Sequence, residues 1–193
     1  MRIDHVIYAT ADLDAATARL EAEHGLVATG GGRHDGIGTV NRTVPLGGGY
    51  LEVIAIADAE EAEGAPLGRV FASRIRASAE GLMGWAVAVE DASAAAARTG
   101  TELSTIGRQG LSATLAGVSV AMAEPFLPFF IQRDPASADP SLGGPHGGIR
   151  WVEVAGDAAR LHEWLGGVEL PVRVVDGPPG VRAVGIGDGL VLE

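Results

Sequence analysis

The chain has 193 residues, 47% of them hydrophobic, and a formal net charge of −11. That length and apolar content suffice for a sizeable buried core, while the acidic balance argues against nucleic acid, whose binding is dominated by Lys and Arg neutralising phosphates. Cysteine and lysine are both absent, so disulfides, thiolate nucleophiles, cysteine-ligated metals and lysine Schiff bases are excluded.

No apolar run approaches the roughly 20 residues of a membrane helix, and the opening MRIDHVIYATAD lacks the apolar stretch of a secretory signal. The cytoplasm is the expected compartment. The first segment predicts a strand over Ile3–Ala9. A helix follows, with Asp12 as N-cap, Leu13, Ala16 and Leu20 on one face and Gly25 at its end. Three β-like runs come next: LVATG (26–30), IGTVNRTVPLG (37–47) and GYLEVIAIA (49–57). An acidic loop then closes on Pro66, and a helix places Leu67, Val70, Phe71 and Ile75 on one face.

The strand, Asp, helix, Gly pattern recurs. LMGWAVAVEDASAAAARTG (82–100) runs through Asp91 to Gly100, and β-like stretches follow near 103–106, 111–122 and 128–132. A Pro- and Gly-rich segment, 133–148, reads as a linker or lid. IRWVEVAGDAARLHEWLGG (149–167) repeats the pattern through Asp157 to Gly166, with VELPVRVV, GVRAVGI and GLVLE after it. The later two helices span nine positions from Asp to Gly and the first spans thirteen, a difference of about one helical turn.

The expected fold class is therefore α+β, with repeated βαβββ modules and a third, abbreviated module at the C-terminus. Paired modules at 1–58 and 82–134, joined by a helical linker at 59–81, would make up residues 1–134. A shorter unit at 148–193 would pack on the same domain.

The polar residues set into apolar strands are the candidates for chemistry. Glu52 interrupts YLEVIAI, where a buried carboxylate needs a partner, and His5 lies on the strand that a curled βαβββ unit would bring beside it. The segments DHVIYATADLDAA, GGRH followed by GTVN, PLGGGYLEVIAI and LPFFIQRD together resemble the glyoxalase-like domains of the vicinal oxygen chelate superfamily. The resemblance falls across residues 3–134. It implies paired modules forming a cupped mixed β-sheet that binds a small molecule.

Metal-using members of that superfamily hold a divalent ion with a His or Gln on the first strand and a Glu on the fourth strand of each of two modules. His5 and Glu52 match the first such pair, and imidazole with carboxylate suits Fe, Mn, Ni, Zn or Co. The second pair is missing. Seven residues before each helix-starting Asp stand His5, Gly84 and Arg150, and PFFIQRD offers no acid before Asp134. His34 is the first candidate to complete the shell and His146 the second.

Arg33, His34, Asn41, Trp85 and Phe130 are the expected substrate-binding residues, with His5 and Glu52 catalytic. Two functions are expected on this basis. One is a metal-assisted isomerase, lyase or dioxygenase acting beside a carbonyl, in which Glu52 moves a proton. The other is a metal-free binding protein for a drug or metabolite. A small-molecule ligand is expected in either case, without nucleic acid or membrane, and a homodimer is compatible with the sequence.

A plainer reading makes His5 and Glu52 a cross-strand pair that satisfies itself. In that reading Arg33 and His34 are solvated loop residues, Asn41 caps a bulge, and Trp85 and Phe130 belong to the core. His24 and His162 are expected to be structural or surface residues.

Overall fold

In a computed structural model, residues 1–78, 80–108 and 110–193 are described. Positions 79 and 109 lie outside that description, the first within the segment 59–81 expected to be helical. Each aspartate marked as a helix start caps one. Asp12 accepts from Ala15 N to open α1 (Leu13–His24). Asp91 accepts from Ser93 N and Ala94 N to open α4 (Ala92–Thr99), and Asp157 accepts from Ala159 N and Arg160 N to open α6 (Ala158–Trp164). These bonds satisfy amides that the first turn leaves free.

The first unit is β1 (Arg2–Ala9), α1, β2 (Gly30–His34), β3 (Thr39–Pro45) and β4 (Tyr50–Ile56). Two helices follow, α2 (Ala59–Gly64) and α3 (Pro66–Ala77). The second unit is β5 (Gly81–Ala88), α4, β6 (Leu103–Arg108), β7 (Leu111–Ala116), a short α5 (Val118–Ala123) and β8 (Phe129–Arg133). Their strands form one sheet in the order β2-β3-β4-β1-β5-β8-β7-β6. Within each unit the last strand runs parallel beside the first, and β1 and β5 join the halves antiparallel. The sheet curls until its edge strands, β2 and β6, face one another.

The third segment follows the same element order: β9 (Ile149–Ala155), α6, β10 (Val172–Val175), β11 (Gly180–Ile186) and β12 (Leu190–Leu192). Its pairing differs. The order is β10-β9-β11-β12, so the strand after the helix, not the last one, lies parallel to the first. α6 thus acts as the crossover of a βαβ unit.

Several expected boundaries are corrected. LVATG remains outside the sheet until Gly30, because Leu26 is buried against the end of α1. The acidic loop contains α2, capped by Asp58. The strand expected over 111–122 stops at Ala116. Gly117 turns the chain at φ 76° into α5, and a side chain there would strike Trp164 of α6. The 133–148 linker is pinned to the β3–β4 turn by Gly47 N to Ser141 O and Gly148 N to Leu46 O. No helix among the described residues is long and apolar enough to cross a membrane.

Two cores lie on opposite faces of the large sheet. On the convex side Val6, Leu51, Trp85, Val87 and Phe130 pack with Leu20 of α1, Ala95 of α4 and Val152, Val154 and Val184 of the small sheet. Inside the cup Ile7, Ile54, Ala86, Leu115, Phe129 and Ile131 pack with Phe71 and Ile75 of α3 and with Val118, Ala121 and Met122 of α5. Side chains alternate across a strand, so this division decides which polar residues face the cavity.

Candidate functional site

The β1–β4 register sets His5 opposite Tyr50 and Ile7 opposite Glu52, which makes His5 and Glu52 diagonal neighbours on the concave face. Their approach is close, with His5 Nε2 3.4 Å from Glu52 Oε2. The His5 ring is clamped. It stacks on Tyr50 at 4.6 Å between centroids and meets Phe129 edge-on at 5.6 Å.

Asp4 fixes the other ring nitrogen. Neighbouring residues on a regular strand point to opposite faces, but the β1–β5 register shifts between Ile3 and His5. Asp4 sits in that bulge, its Oδ1 2.6 Å from His5 Nδ1. Arg133, at the end of β8, donates to both oxygens of Asp4 at 2.5 and 2.7 Å and to the Tyr50 hydroxyl at 3.0 Å. Burial alone would raise the Asp4 pKa. The hydrogen bonds from His5 and Arg133 prevail and hold this carboxyl well below its usual range. Asp4 is therefore an anion, and His5 Nδ1 carries a hydrogen donated to it.

That leaves His5 Nε2, which is buried and has no hydrogen-bond partner. An imidazole lone pair and a carboxylate oxygen 3.4 Å apart repel unless a proton or another positive group stands between them. Asn41 holds the opposite oxygen of Glu52. Its Nδ2 donates to Glu52 Oε1, and its Oδ1 accepts from Gly32 N at 3.0 Å, which fixes the orientation of the amide. Gly31 permits this. Its φ is 135°, and a side chain would collide with the Asn41 carbonyl.

His34 completes the polar corner. Its Nδ1 lies 2.9 Å from Thr39 Oγ1 and its Nε2 4.0 Å from Glu52 Oε1. Burial lowers the His34 pKa despite the nearby charge of Glu52, so this ring stays neutral. Burial and the same charge raise the Tyr50 phenol well above its ordinary value.

These groups line one end of a cavity whose remaining wall is Ile54, Phe71, Ile106, Leu111, Leu115, Phe129 and Ile131, with Arg108 at its edge. The void is about 40 Å³, room for a water or two.

The structure thus brings His5, Glu52, His34 and Asn41 together and separates the other expected residues from them. Arg33 points outward and pairs with Glu61 and Asp58. Trp85 and Phe130 lie on the convex side, where Trp85 Nε1 donates to Phe126 O at 3.1 Å. One step along β8 exchanges faces, so Phe129 and Ile131 supply the apolar wall expected from Phe130. The space before the position of the missing second histidine, Gly84, is filled by Met122, with Cε 3.6 Å from where a β-carbon would be. His146 does not line the cavity.

A four-ligand metal site does not fit these residues. Among the described residues no group of three His, Asp or Glu side chains is arranged to hold an ion. An amide nitrogen, which is a donor, already faces both Glu52 Oε1 and His34 Nε2. Sequence reasoning missed Asp4, Tyr50, Arg108, Phe129 and Arg133. Asp4 had a readable signal, an acid in an apolar strand beside the histidine. The others depend on which strand lies next to which.

A family profile described as the glyoxalase-like domain matches residues 3–168. No curated protein matches the sequence. A hypothetical protein from Staphylococcus aureus is similar in structure at TM-score 0.70 and 16% identity, over 94% of this chain and 87% of that one. A variant of Streptomyces coelicolor methylmalonyl-CoA epimerase in complex with 2-nitronate-propionyl-CoA is similar at 0.54 and 18%, over 72% and 98%. Methylmalonyl-CoA epimerase from Mycobacterium tuberculosis is similar at 0.50 and 18%, over 70% and 88%. At these identities the structural likeness speaks for the fold, and the profile match over most of the length places the chain in the glyoxalase-like domain family.

Proposed function

We propose that the protein is an enzyme that moves a proton at a carbon beside a carbonyl in a small organic molecule, with His5 and Glu52 as the acid–base pair. The observation that carries this reading is the buried, unpartnered His5 Nε2, anchored through Nδ1 to an ionised Asp4 and facing Glu52 Oε2 at 3.4 Å across the cavity wall. A buried polar atom without a partner is costly, and a ligand oxygen would relieve it.

In the competent state the proton shared by the pair is on His5 Nε2, which donates to the substrate carbonyl oxygen. Glu52 Oε2 takes the proton from the adjacent carbon as negative charge develops on that oxygen. Asn41 keeps Glu52 aimed through Oε1, and Arg133 and Asp4 keep His5 upright. Return of the proton to the same or a neighbouring carbon completes an epimerisation or isomerisation. These side chains carry the steps. The epimerase neighbours are compatible with such chemistry, and a cytoplasmic location belongs to the same reading.

A second reading, binding without chemistry, draws on the apolar remainder of the wall. Deuterium exchange separates the two. Short 2-oxo acids, their esters and thioesters would be incubated with the protein in D2O and the α-protons followed by NMR. Proton transfer predicts catalysed exchange in wild type, lost in His5→Ala and in Glu52→Gln with the melting temperature retained in the latter. Saturable binding without exchange for every compound would leave only the binding reading.

A further inference from the structure

Arginine stands at every Lys or Arg position of this protein, and most of the arginines near the site are committed to acids. Arg33 pairs with Asp58 and Glu61, Arg42 with Asp14, and Arg133 with Asp4. Arg108 is different. It lines the cavity, and among the described residues it has no carboxylate within ion-pairing distance. The hydrogen bond its guanidinium makes among the described residues runs from Nη1 to the Gly31 carbonyl oxygen at 3.1 Å, across the seam where the edge strands β2 and β6 face each other without a ladder.

The seam also borders the cavity, through Arg108. Outside it lies an open groove of about 590 Å³ bordered by Asp35, Ile37, Pro66, Leu67, Thr105 and Arg108. Arg108 borders both the groove and the inner void. That void, about 40 Å³, has room for a water or two, so an organic ligand must widen it.

The charges define what could enter. The protein is strongly acidic, Glu52 adds a negative charge inside, and burial keeps His34 neutral. Against that background a half-buried guanidinium held by a single neutral carbonyl has donors to spare for a ligand. Its planar fork of five donors matches a carboxylate in two parallel hydrogen bonds.

We propose that Arg108 is the anion-recognition residue of this cavity, and that the ligand is a small organic acid whose carboxylate replaces the Gly31 carbonyl on the guanidinium while its carbonyl end reaches His5 and Glu52. The assignment of substrate class rests on the proton-transfer reading, and the affinity of Arg108 for the carboxylate stands apart from it.

The test is binding, read without turnover. Backbone amide NMR of the full chain would follow titration with pyruvate, 2-oxobutyrate and 2-oxohexanoate and with the methyl ester of each, in wild type, Arg108→Lys and Arg108→Met. Acids are expected to shift Gly31, His34 and Asn41 saturably, and the esters to bind about tenfold more weakly, the scale of a charge-assisted hydrogen bond. Arg108→Met should abolish the difference between acid and ester, and Arg108→Lys, which keeps the charge but loses the fork, should retain part of it.

Equal affinity for acids and esters in wild type, undiminished acid binding in Arg108→Met, or no saturable shift with any acid would overturn the proposal. The contrast in wild type decides even if a variant misfolds. Acid binding through Arg108 without deuterium exchange would defeat the proton-transfer reading alone, whereas exchange on esters with no preference for acids would defeat this one alone.

Discussion

Asp4 and His5 are adjacent in the chain and on the same strand, yet their side chains touch, Oδ1 to Nδ1 at 2.6 Å, because a β-bulge removes the alternation that would separate them. At 1% and 2% exposure the pair is sealed from water, with the Arg133 guanidinium as its counter-charge. His5 is therefore held from behind by a structural ion pair.

Replacing Asp4 by Asn should destabilise the fold by about 3 to 5 kcal/mol, because Arg133 is left buried without its partner. The folded-state pKa of Asp4 is depressed. Its stabilising contribution is thus complete above the unfolded value of about 3.9 and is lost as pH falls through the folded value. Urea titrations between about pH 5 and pH 2.5 should show a steeper acid loss in wild type than in Asp4→Asn. Parallel curves would mean that Asp4 carries no such linkage.

His34 gives the opposite window. Its folded pKa is lowered, mainly by burial, so the unfolded chain takes up a proton that the folded chain refuses. Stability should rise with pH from the folded value up to the ordinary histidine value of about 6.5 and then level off. Comparing the urea midpoint of wild type and His34→Gln at about pH 5.5 and pH 7.5 should show that the variant loses part of this rise.

Phe129 and Phe130 report on the two faces of β8. Either change to alanine should cost about 3 to 5 kcal/mol, since both rings are buried. Only Phe129→Ala should enlarge the cavity and change ligand affinity, because Phe130 packs toward Trp164 on the other side. Equal effects on binding would contradict the assignment of faces.

Gly31→Ala tests the support of Asn41. With φ at 135° and the Asn41 carbonyl in the way, alanine should destabilise by more than about 1 kcal/mol. It should also shift the Asn41 side-chain amide resonances. A neutral melting temperature with unchanged resonances would show that the glycine is dispensable.

Much of the architecture is local and was legible in the sequence. Asp12, Asp91 and Asp157 announce helix starts because a capping carboxylate acts on amides two or three residues away, and the apolar periods of the flanking strands need no distant partner to be recognised. The same logic singled out His5 and Glu52, as polar groups in apolar strands must face something. Which face they shared, and with whom, was decided only by the tertiary structure. A shift of one residue exchanges Phe129 for Phe130 at the cavity wall, and a bulge turns Asp4 toward His5. Arg133 meets Asp4, and Arg108 meets Gly31, across 129 and 77 positions of sequence, because two units join at β1 and β5 and their sheet curls until its edges meet. Contacts of that range leave no period or cap in the chain, since they arise from strand order and curvature.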